Sequence, residues 1–328
     1  MRRALRWTGI TLAVLVTLLV AAAGWVQATY SVDYPDTPLP SITASDSPEV
    51  IARGEYLVNA VAHCSTCHSP PEQMESHALD FRSPLEGGYV WQMPMFGTFT
   101  AANLTPHATG IGEMSDAQIA RVVRSGVNRE GTLSPMMRFS VGPMSDEDLV
   151  AVVSWLRAQP PVEASRPGPQ LGLLAKALAG NFTPRLDPAP THVPPGGISV
   201  ERGRYLANGP AFCAGCHTPM DPLTFTATGP AFSGGAMAEP DPYDSEYEIV
   251  PPNLTPDPRT GIIADWSEKA FVERFRGGRI VAGSTMPWEA FQRMTEEDVR
   301  SLYTYLRSLE PVEHDTGPPH RLRGSFPE

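Results

Sequence analysis

Two five-residue segments carry the reactive chemistry of this sequence: Cys64-Ser65-Thr66-Cys67-His68 and Cys213-Ala214-Gly215-Cys216-His217. Together they hold all four cysteines of the chain. In Cys-x-x-Cys-His, two thiols three positions apart can add to the two vinyl groups on one edge of a porphyrin. The next residue then brings its imidazole beneath the iron. The spacing predicts covalent attachment of two haem c groups through Cys64, Cys67, Cys213 and Cys216, with His68 and His217 as proximal iron ligands. Other chemistries fit less well. A thioredoxin-like redox pair expects a βαβ setting, and none is legible here. A shared zinc site would need the pairs together, yet they lie 149 residues apart and each has its own histidine. A structural disulfide would not require histidine after each pair.

The two motifs sit inside a duplication offset by 149–150 residues. Arg53 to His68 aligns without a gap onto Arg202 to His217, sharing Arg-Gly-x-Tyr-Leu, an asparagine, an alanine, both cysteines and the histidine. Asn103-Leu104-Thr105 answers Asn253-Leu254-Thr255, and Thr109-Gly110-Ile111 answers Thr260-Gly261-Ile262. Near the ends, Trp155-Leu156-Arg157 and Pro161-Val162 answer Tyr305-Leu306-Arg307 and Pro311-Val312. This organisation predicts a leader over 1–30, one domain over 48–163, a Pro-rich linker over 164–197, a second domain over 198–313 and a loose tail over 314–328. Prolines at 167, 169, 184, 188, 190, 194 and 195 make the linker extended and semi-rigid. Leu171 to Ala179 within it has the composition of one short apolar helix packed on a domain.

The elements that must position these motifs read as helices. Ser47-Pro48-Glu49 and Ser199-Val200-Glu201 look like helix starts, with a serine cap and an acid in the first turn. Ser115 to Arg124 and Ser267 to Arg276 suggest a middle helix in each copy, ended by Gly126 and Gly277. Ser145-Asp146-Glu147-Asp148 and Thr295-Glu296-Glu297-Asp298 open a last helix. Its apolar positions are Leu149, Val152, Val153 and Leu156, or Val299, Leu302, Tyr303 and Leu306. Gly54 and Gly203 are expected where the first and last helices cross, with Tyr56, Trp155, Tyr205 and Tyr305 packed there. No alternating run is long enough for a sheet, so the expected class is all-α with extended loops.

Arg2, Arg3 and Arg6 precede a segment with no charge from Trp7 to Val32. Thr8 to Val26 spans roughly 28 Å as a helix, enough for a bilayer core. Trp7 and Trp25 mark its ends, and the basic flank places the N-terminus in the cytoplasm with the remainder outside. Ala21-Ala22-Ala23 offers a cleavage site, but a signal core runs only about 7–15 residues, which favours a retained anchor. The net charge of −11 argues against nucleic acid as a partner and suits docking to a basic protein surface.

Each repeat resembles the class I cytochrome c fold. The pair is similar to the membrane-bound multi-haem cytochrome c subunits of bacterial periplasmic dehydrogenases. The resemblance rests on Arg-Gly-x-Tyr-Leu before each motif, Asn253-Leu254-Thr255-Pro256 with Thr260-Gly261-Ile262, Met286-Pro287-Trp288, and Tyr305-Leu306-Arg307. It implies a distal methionine on a loop before the last helix, which raises the haem potential. Met286 fits in the second copy. In the first, Ser134-Pro135-Met136-Met137-Arg138-Phe139 has arginine where the family has proline; Met137 is favoured, with Met136 as the alternative. Met144 and Met294 read as packing residues, and His63, His77 and His107 as loop residues outside the iron sites. Asn103 and Asn253 are expected either to bond a propionate or to brace their loop.

The resemblance further implies electron transfer without a catalytic residue of the chain's own. The donor would be a dehydrogenase subunit and the acceptor an oxidase or soluble cytochrome. The haem domains would face the periplasm from the bacterial inner membrane. Relatives often carry three haem motifs where this chain has two, which leaves the partner enzyme open. The rival expectation is a di-haem peroxidase-like enzyme with one open iron.

Overall fold

In the computed structural model the described residues are all except 1, 77, 135, 138–140, 187, 222, 223, 225, 236, 237, 327 and 328, and the side chains of 2–5 and 75 are likewise outside the description. The uncharged leader forms one helix, α1 (Arg2–Thr29), and its stretch from Arg6 to Thr29 is long and apolar enough to cross a bilayer. The first repeat continues with α2 (Pro48–Tyr56), a π-helical turn over Leu57–Val61, α3 (Ser65–His68) and α4 (Pro71–Ser76). Strands β1 (Val90–Met93) and β2 (Gly97–Thr100) follow, then α5 (Asp116–Ser125) and α6 (Asp146–Ala158). The linker contributes β3 (Gln170–Leu171) and α7 (Leu173–Ala177). The second repeat reuses the plan: α8 (Val200–Asn208), α9 (Cys213–His217), β4 (Glu239–Pro240), β5 (Tyr247–Ile249), α10 (Glu268–Arg276), α11 (Trp288–Phe291) and α12 (Glu296–Arg307). The tail adds β6 (His320–Leu322).

Most helix starts lie where hydroxyl residues can accept from orphan backbone N–H groups. Ser115 and Gln118 form a reciprocal capping box on α5, and Ser145, Ser199, Ser267 and Thr295 cap α6, α8, α10 and α12. Ser47 differs: its hydroxyl goes to Glu49 at 2.5 Å and makes no cap bond to the backbone. At the other end, Gly126 terminates α5 in the left-handed region, whereas in the second copy Gly277 stays helical and Gly278 makes that turn.

Two glycines decide how closely the helices pack. A Cβ on Gly54 would stand 2.0 Å from the Ala151 carbonyl oxygen of α6, and one on Gly203 would stand 1.9 Å from that of Ser301 on α12. Only hydrogen fits, so α2 lies directly on α6 and α8 directly on α12, as their shared sequence position suggests. Arg53 clamps the first crossing to Asp148 at 2.9 and 3.0 Å, and Arg202 clamps the second to Asp298 at 2.5 Å.

Trp155 and Tyr305 pack at these crossings, but the hydroxyls of Tyr56 and Tyr205 reach beyond them. Tyr56 donates to Asp298 of the second repeat at 2.6 Å, and Tyr205 donates to Asp148 of the first at 2.7 Å. Each phenol also accepts from the N-cap backbone beside that aspartate, Thr295 N or Ser145 N, at 3.1 Å. The contact is reciprocal, like an isologous interface between identical subunits. One continuous buried cluster runs through both copies, including Leu57, Val61, Leu149 and Val153 with Leu206, Phe232, Phe291 and Leu302.

The expectation of an all-α fold is corrected by two small antiparallel sheets, β1-β2-β3 and β4-β5-β6. Their strands have two to four residues, too short to display a period of two. Both sheets are closed by segments from outside the repeats. Thr98 pairs with Gln170 of the linker; Glu248 pairs with Arg321 of the tail. Residues after 313 are therefore not loose: Arg321 pairs with Glu248 at 2.6 Å, and Val250 N bonds Pro319 O at 2.9 Å. The linker is likewise held to the first repeat. Asp146 N and Glu147 N at the start of α6 donate to Pro190 O and Thr191 O, at 3.0 and 3.2 Å.

Candidate functional site

Each cysteine motif begins at a backbone position that ordinary side chains avoid. His63 and Phe212, immediately before Cys64 and Cys213, have φ of +43° and +47°. A bulky residue held there costs roughly 1–3 kcal/mol, so packing must impose it. The turn sets Cys64 at the N-cap of α3 with Cys67 inside it, and Cys213 and Cys216 both inside α9, where positions three apart share a face. The histidine follows at once.

All four thiols are free of disulfides. Burial pushes Cys64 and Cys213 up to about 12 and Cys67 up to about 11, whereas Cys216 is open to solvent. A thiolate, which nucleophilic chemistry at these thiols would require, is thus disfavoured at Cys64, Cys67 and Cys213. A thioether carries no charge and suffers no such penalty. Among the described residues no cluster of three or more His, Cys, Asp and Glu side chains could hold a metal ion, so the pairs do not assemble a zinc site.

The histidines are oriented identically. His68 Nδ1 lies 2.7 Å from Ala102 O, and His217 Nδ1 lies 2.9 Å from Pro252 O. A carbonyl can only accept, so each ring carries its proton on Nδ1 and presents the lone pair of Nε2. Burial lowers both imidazole pKa values, favouring the neutral ring that a metal requires. The main chain adds a matching hold: Gly87 N and Gly234 N each donate to the histidine carbonyl at 2.8 Å. Both glycines have positive φ, and a Cβ on Gly87 would come within 2.3 Å of Ala102 O. These free thiol pairs beside imidazoles tied through Nδ1 fit a covalently held haem at each motif.

Ala102 and Pro252 directly precede Asn103 and Asn253, which explains the duplicated Asn-Leu-Thr. Asn103 Nδ2 donates to Val162 O at 2.9 Å, and its Oδ1 accepts from Thr105 N and Oγ1 at 2.9 and 2.8 Å. Asn253 repeats the arrangement with Val312 O and Thr255, at 2.8, 2.9 and 2.8 Å. Both asparagines are buried, and both brace the loop whose carbonyl orients the histidine. Sequence reasoning overlooked Gly87-Gly88 and Gly234-Gly235, although the paired glycines recur in both copies.

Met286 is partly buried against the common core. Arg279 grips its segment through the Ser284 and Met286 carbonyls, and is itself fixed by Glu289 at 2.7 Å. The Trp288 ring donates to Ser284 Oγ at 3.2 Å. Met136 and Met137 are half-buried in one short turn after Ser134, with Met137 N bonded to Ser134 O at 3.1 Å. Arg138, Phe139 and His77 lie outside the described residues. Met144 and Met294 are buried in the core. His107 Nδ1 is engaged by Thr109 at 2.9 Å, within its own turn. His63, lowered to about 4 by burial, stands edge-on to Phe291 with ring centres 5.6 Å apart. Through that contact, and through α3 packing on α11, the first cysteine motif abuts the segment following Met286.

Residues 49–156 match the family model described as cytochrome C oxidase, cbb3-type, subunit III. The chain is 27% identical over 322 residues to the fructose dehydrogenase cytochrome subunit of Gluconobacter japonicus, covering 92% of this chain and 60% of that protein. It is 30% identical over 284 residues to the gluconate 2-dehydrogenase cytochrome c subunit of Pantoea cypripedii, covering 79% and 59%. It is 28% identical over 335 residues to a diheme cytochrome c-type protein of Cereibacter sphaeroides, covering 95% and 100%. The chain thus spans about three-fifths of the length of the two dehydrogenase subunits and the whole of the third relative.

Proposed function

We propose that the chain, which is similar to cytochrome c proteins over most of its length, carries two covalent haems and relays electrons from a dehydrogenase to a respiratory acceptor. Cys64 and Cys67 would hold one haem and Cys213 and Cys216 the other, within units spanning 48–163 and 198–313. His68 and His217 would ligate the irons from one side, with Met137 (Met136 the alternative) and Met286 from the other. When bound, each haem supplies an iron that gains or loses a single electron. The chain's own part would be to hold each iron between an imidazole and a thioether sulfur, leaving no room for a substrate. Ala102 O and Pro252 O fix the imidazole planes, and Arg279 fixes the Met286 segment.

The observation that carries this reading is the duplicated Nδ1–carbonyl bond beside free cysteine pairs. The packing of α3 on α11 supports a relay, because the first cysteine motif lies against the segment that follows Met286, the proposed distal residue of the second site. Helix α1 would anchor the chain in the inner membrane, with the repeats in the periplasm. The acidic segment from Glu239 to Glu248, beside the exposed Cys216, would suit a basic partner surface at the second haem.

The test is mass spectrometry and redox titration of the intact chain isolated from membranes. Two added haem masses and two low-spin one-electron transitions are expected. A zinc adduct, intact free thiols or a high-spin haem that turns over peroxide would overturn the proposal.

A further inference from the structure

A groove of about 840 Å³ separates α1 from a ledge on the first repeat. Its α1 wall is Leu19, Ala22, Ala23 and Val26, a single helical stripe. The opposite wall is the β1–β2 turn, Met93-Pro94-Met95, with Leu173 at the start of α7. This ledge is stiff. Gly172 N donates to Phe96 O at 2.7 Å, and Leu174 N donates to Met95 O at 3.2 Å. Lys176 joins α7 to α1 by donating to Gln27 Oε1 at 2.7 Å.

The ledge is apolar yet open: Met95 is 72% exposed and Leu173 51%. Its depth follows from the anchor. Trp25 stands where the outer aromatic belt belongs, and Leu19 lies six residues further in, about 9 Å toward the bilayer centre. A ledge facing Leu19 to Val26 is therefore level with the outer leaflet. Sequence agrees, since no charged residue occurs from Gly87 to Pro106.

The second repeat supplies an internal comparison. Its corresponding hairpin, β4–β5, carries Glu239, Asp241, Asp244, Glu246 and Glu248 between the same landmarks. Five carboxylates cannot enter lipid without a prohibitive desolvation cost, whereas the β1–β2 turn has none to desolvate. One hairpin is compatible with hydrocarbon and its duplicate only with water.

We propose that the Met93–Met95 turn and Leu173 insert into the outer leaflet, and that lipid acyl chains fill the groove beside α1. The first repeat is then held to the membrane at two places, which fixes the orientation of the haem-bearing head instead of leaving it to swing on α1. The inference rests on the proposed membrane anchor.

The test is site-directed spin labelling of the full haem-loaded chain in phospholipid vesicles, with label at Met95→Cys, Leu173→Cys, Leu19→Cys and Ile280→Cys. Collision with oxygen reports lipid, and collision with a water-soluble nickel chelate reports solvent. Met95 and Leu173 are expected to match Leu19 in their oxygen-to-nickel ratio and to exceed Ile280 several-fold; Ile280 is 71% exposed in the second repeat. A solvent-like ratio at Met95 and Leu173, with a lipid-like one at Leu19, would overturn this inference and leave the anchor standing. Shielding of Met95 and Leu173 from both reagents would replace lipid with a protein occupant, such as a second copy. A solvent-like ratio at Leu19 would remove the anchor, and this inference with it.

Discussion

Changing Tyr56 and Tyr205 together to phenylalanine removes two oxygen atoms and leaves every ring in place. Both hydroxyls cross between repeats to a carboxylate shielded from water, Asp298 at 0% exposure and Asp148 at 1%. A hydrogen bond to a charged group contributes about 1.5–3 kcal/mol net, and here each phenol also satisfies an N-cap N–H. Each single change should therefore cost about 2 kcal/mol and the pair about 4 kcal/mol, since the two bonds sit on different elements. Against a total of about 5–15 kcal/mol, that is enough to uncouple the repeats. Tyr303→Phe is the matched control. Its hydroxyl donates to Trp266 O at 2.7 Å within the second repeat, so about 1 kcal/mol and unchanged cooperativity are expected. The assay is denaturant unfolding of the haem-loaded protein, followed in the Soret band and by far-ultraviolet circular dichroism. The native chain should unfold in one transition and the double variant in two. A double variant with the native midpoint and a single transition would refute the idea that these phenols join the repeats.

Three further outcomes test the crossings and the proposed haem sites. Gly54→Ala and Gly203→Ala should each lower stability by about 1–3 kcal/mol or more, because the methyl meets a helix carbonyl; Gly180→Ala, with open space around it, should be near neutral by thermal denaturation. Cys64→Ala with Cys67→Ala, or Cys213→Ala with Cys216→Ala, removes both thioethers of one site and should leave one haem resistant to acidic acetone instead of two; two firmly retained haems would contradict the assignment. Met286→Ala and Met137→Ala should each lower the potential of one haem and open its iron to carbon monoxide. If Met136→Ala does so and Met137→Ala does not, the alternative ligand is correct.

What could be read from sequence depended on whether the physical cause was local. Cys-x-x-Cys-His, the hydroxyl caps and the Gly54 and Gly203 crossings involve residues near one another or repeated in register, so the duplication exposed them. The sheets stayed hidden because β3 and β6 come from segments outside the repeats and have two and three residues. Gly97 was a clue to the first of them. With φ of +122°, its missing Cβ would lie 2.0 Å from Gln170 O, so only glycine lets β3 approach. The partners of the Tyr56 and Tyr205 hydroxyls stayed hidden for a related reason. Sequence shows that they lie beside the crossing glycines, but only the packed pair of repeats shows that each hydroxyl points away from its own repeat.

The duplication also separates what a haem site demands from what its surroundings demand. The histidine–carbonyl bond, the asparagine brace and the glycine behind each histidine are the same in both copies, to within about 0.2 Å in matched bonds. In the proposed function these groups would hold a haem or brace those that do, and the chemistry would be the same on the two sides. The residue before the first cysteine differs, His63 or Phe212, although the backbone there is equally strained. That position faces the other repeat, where the neighbour differs as well: Phe291 for His63, and the Gly142 segment for Phe212. The hairpins differ most, apolar in one copy and acidic in the other. The two hairpins are therefore the places where the two similar halves would be directed to unlike environments, lipid for the first and a basic protein for the second.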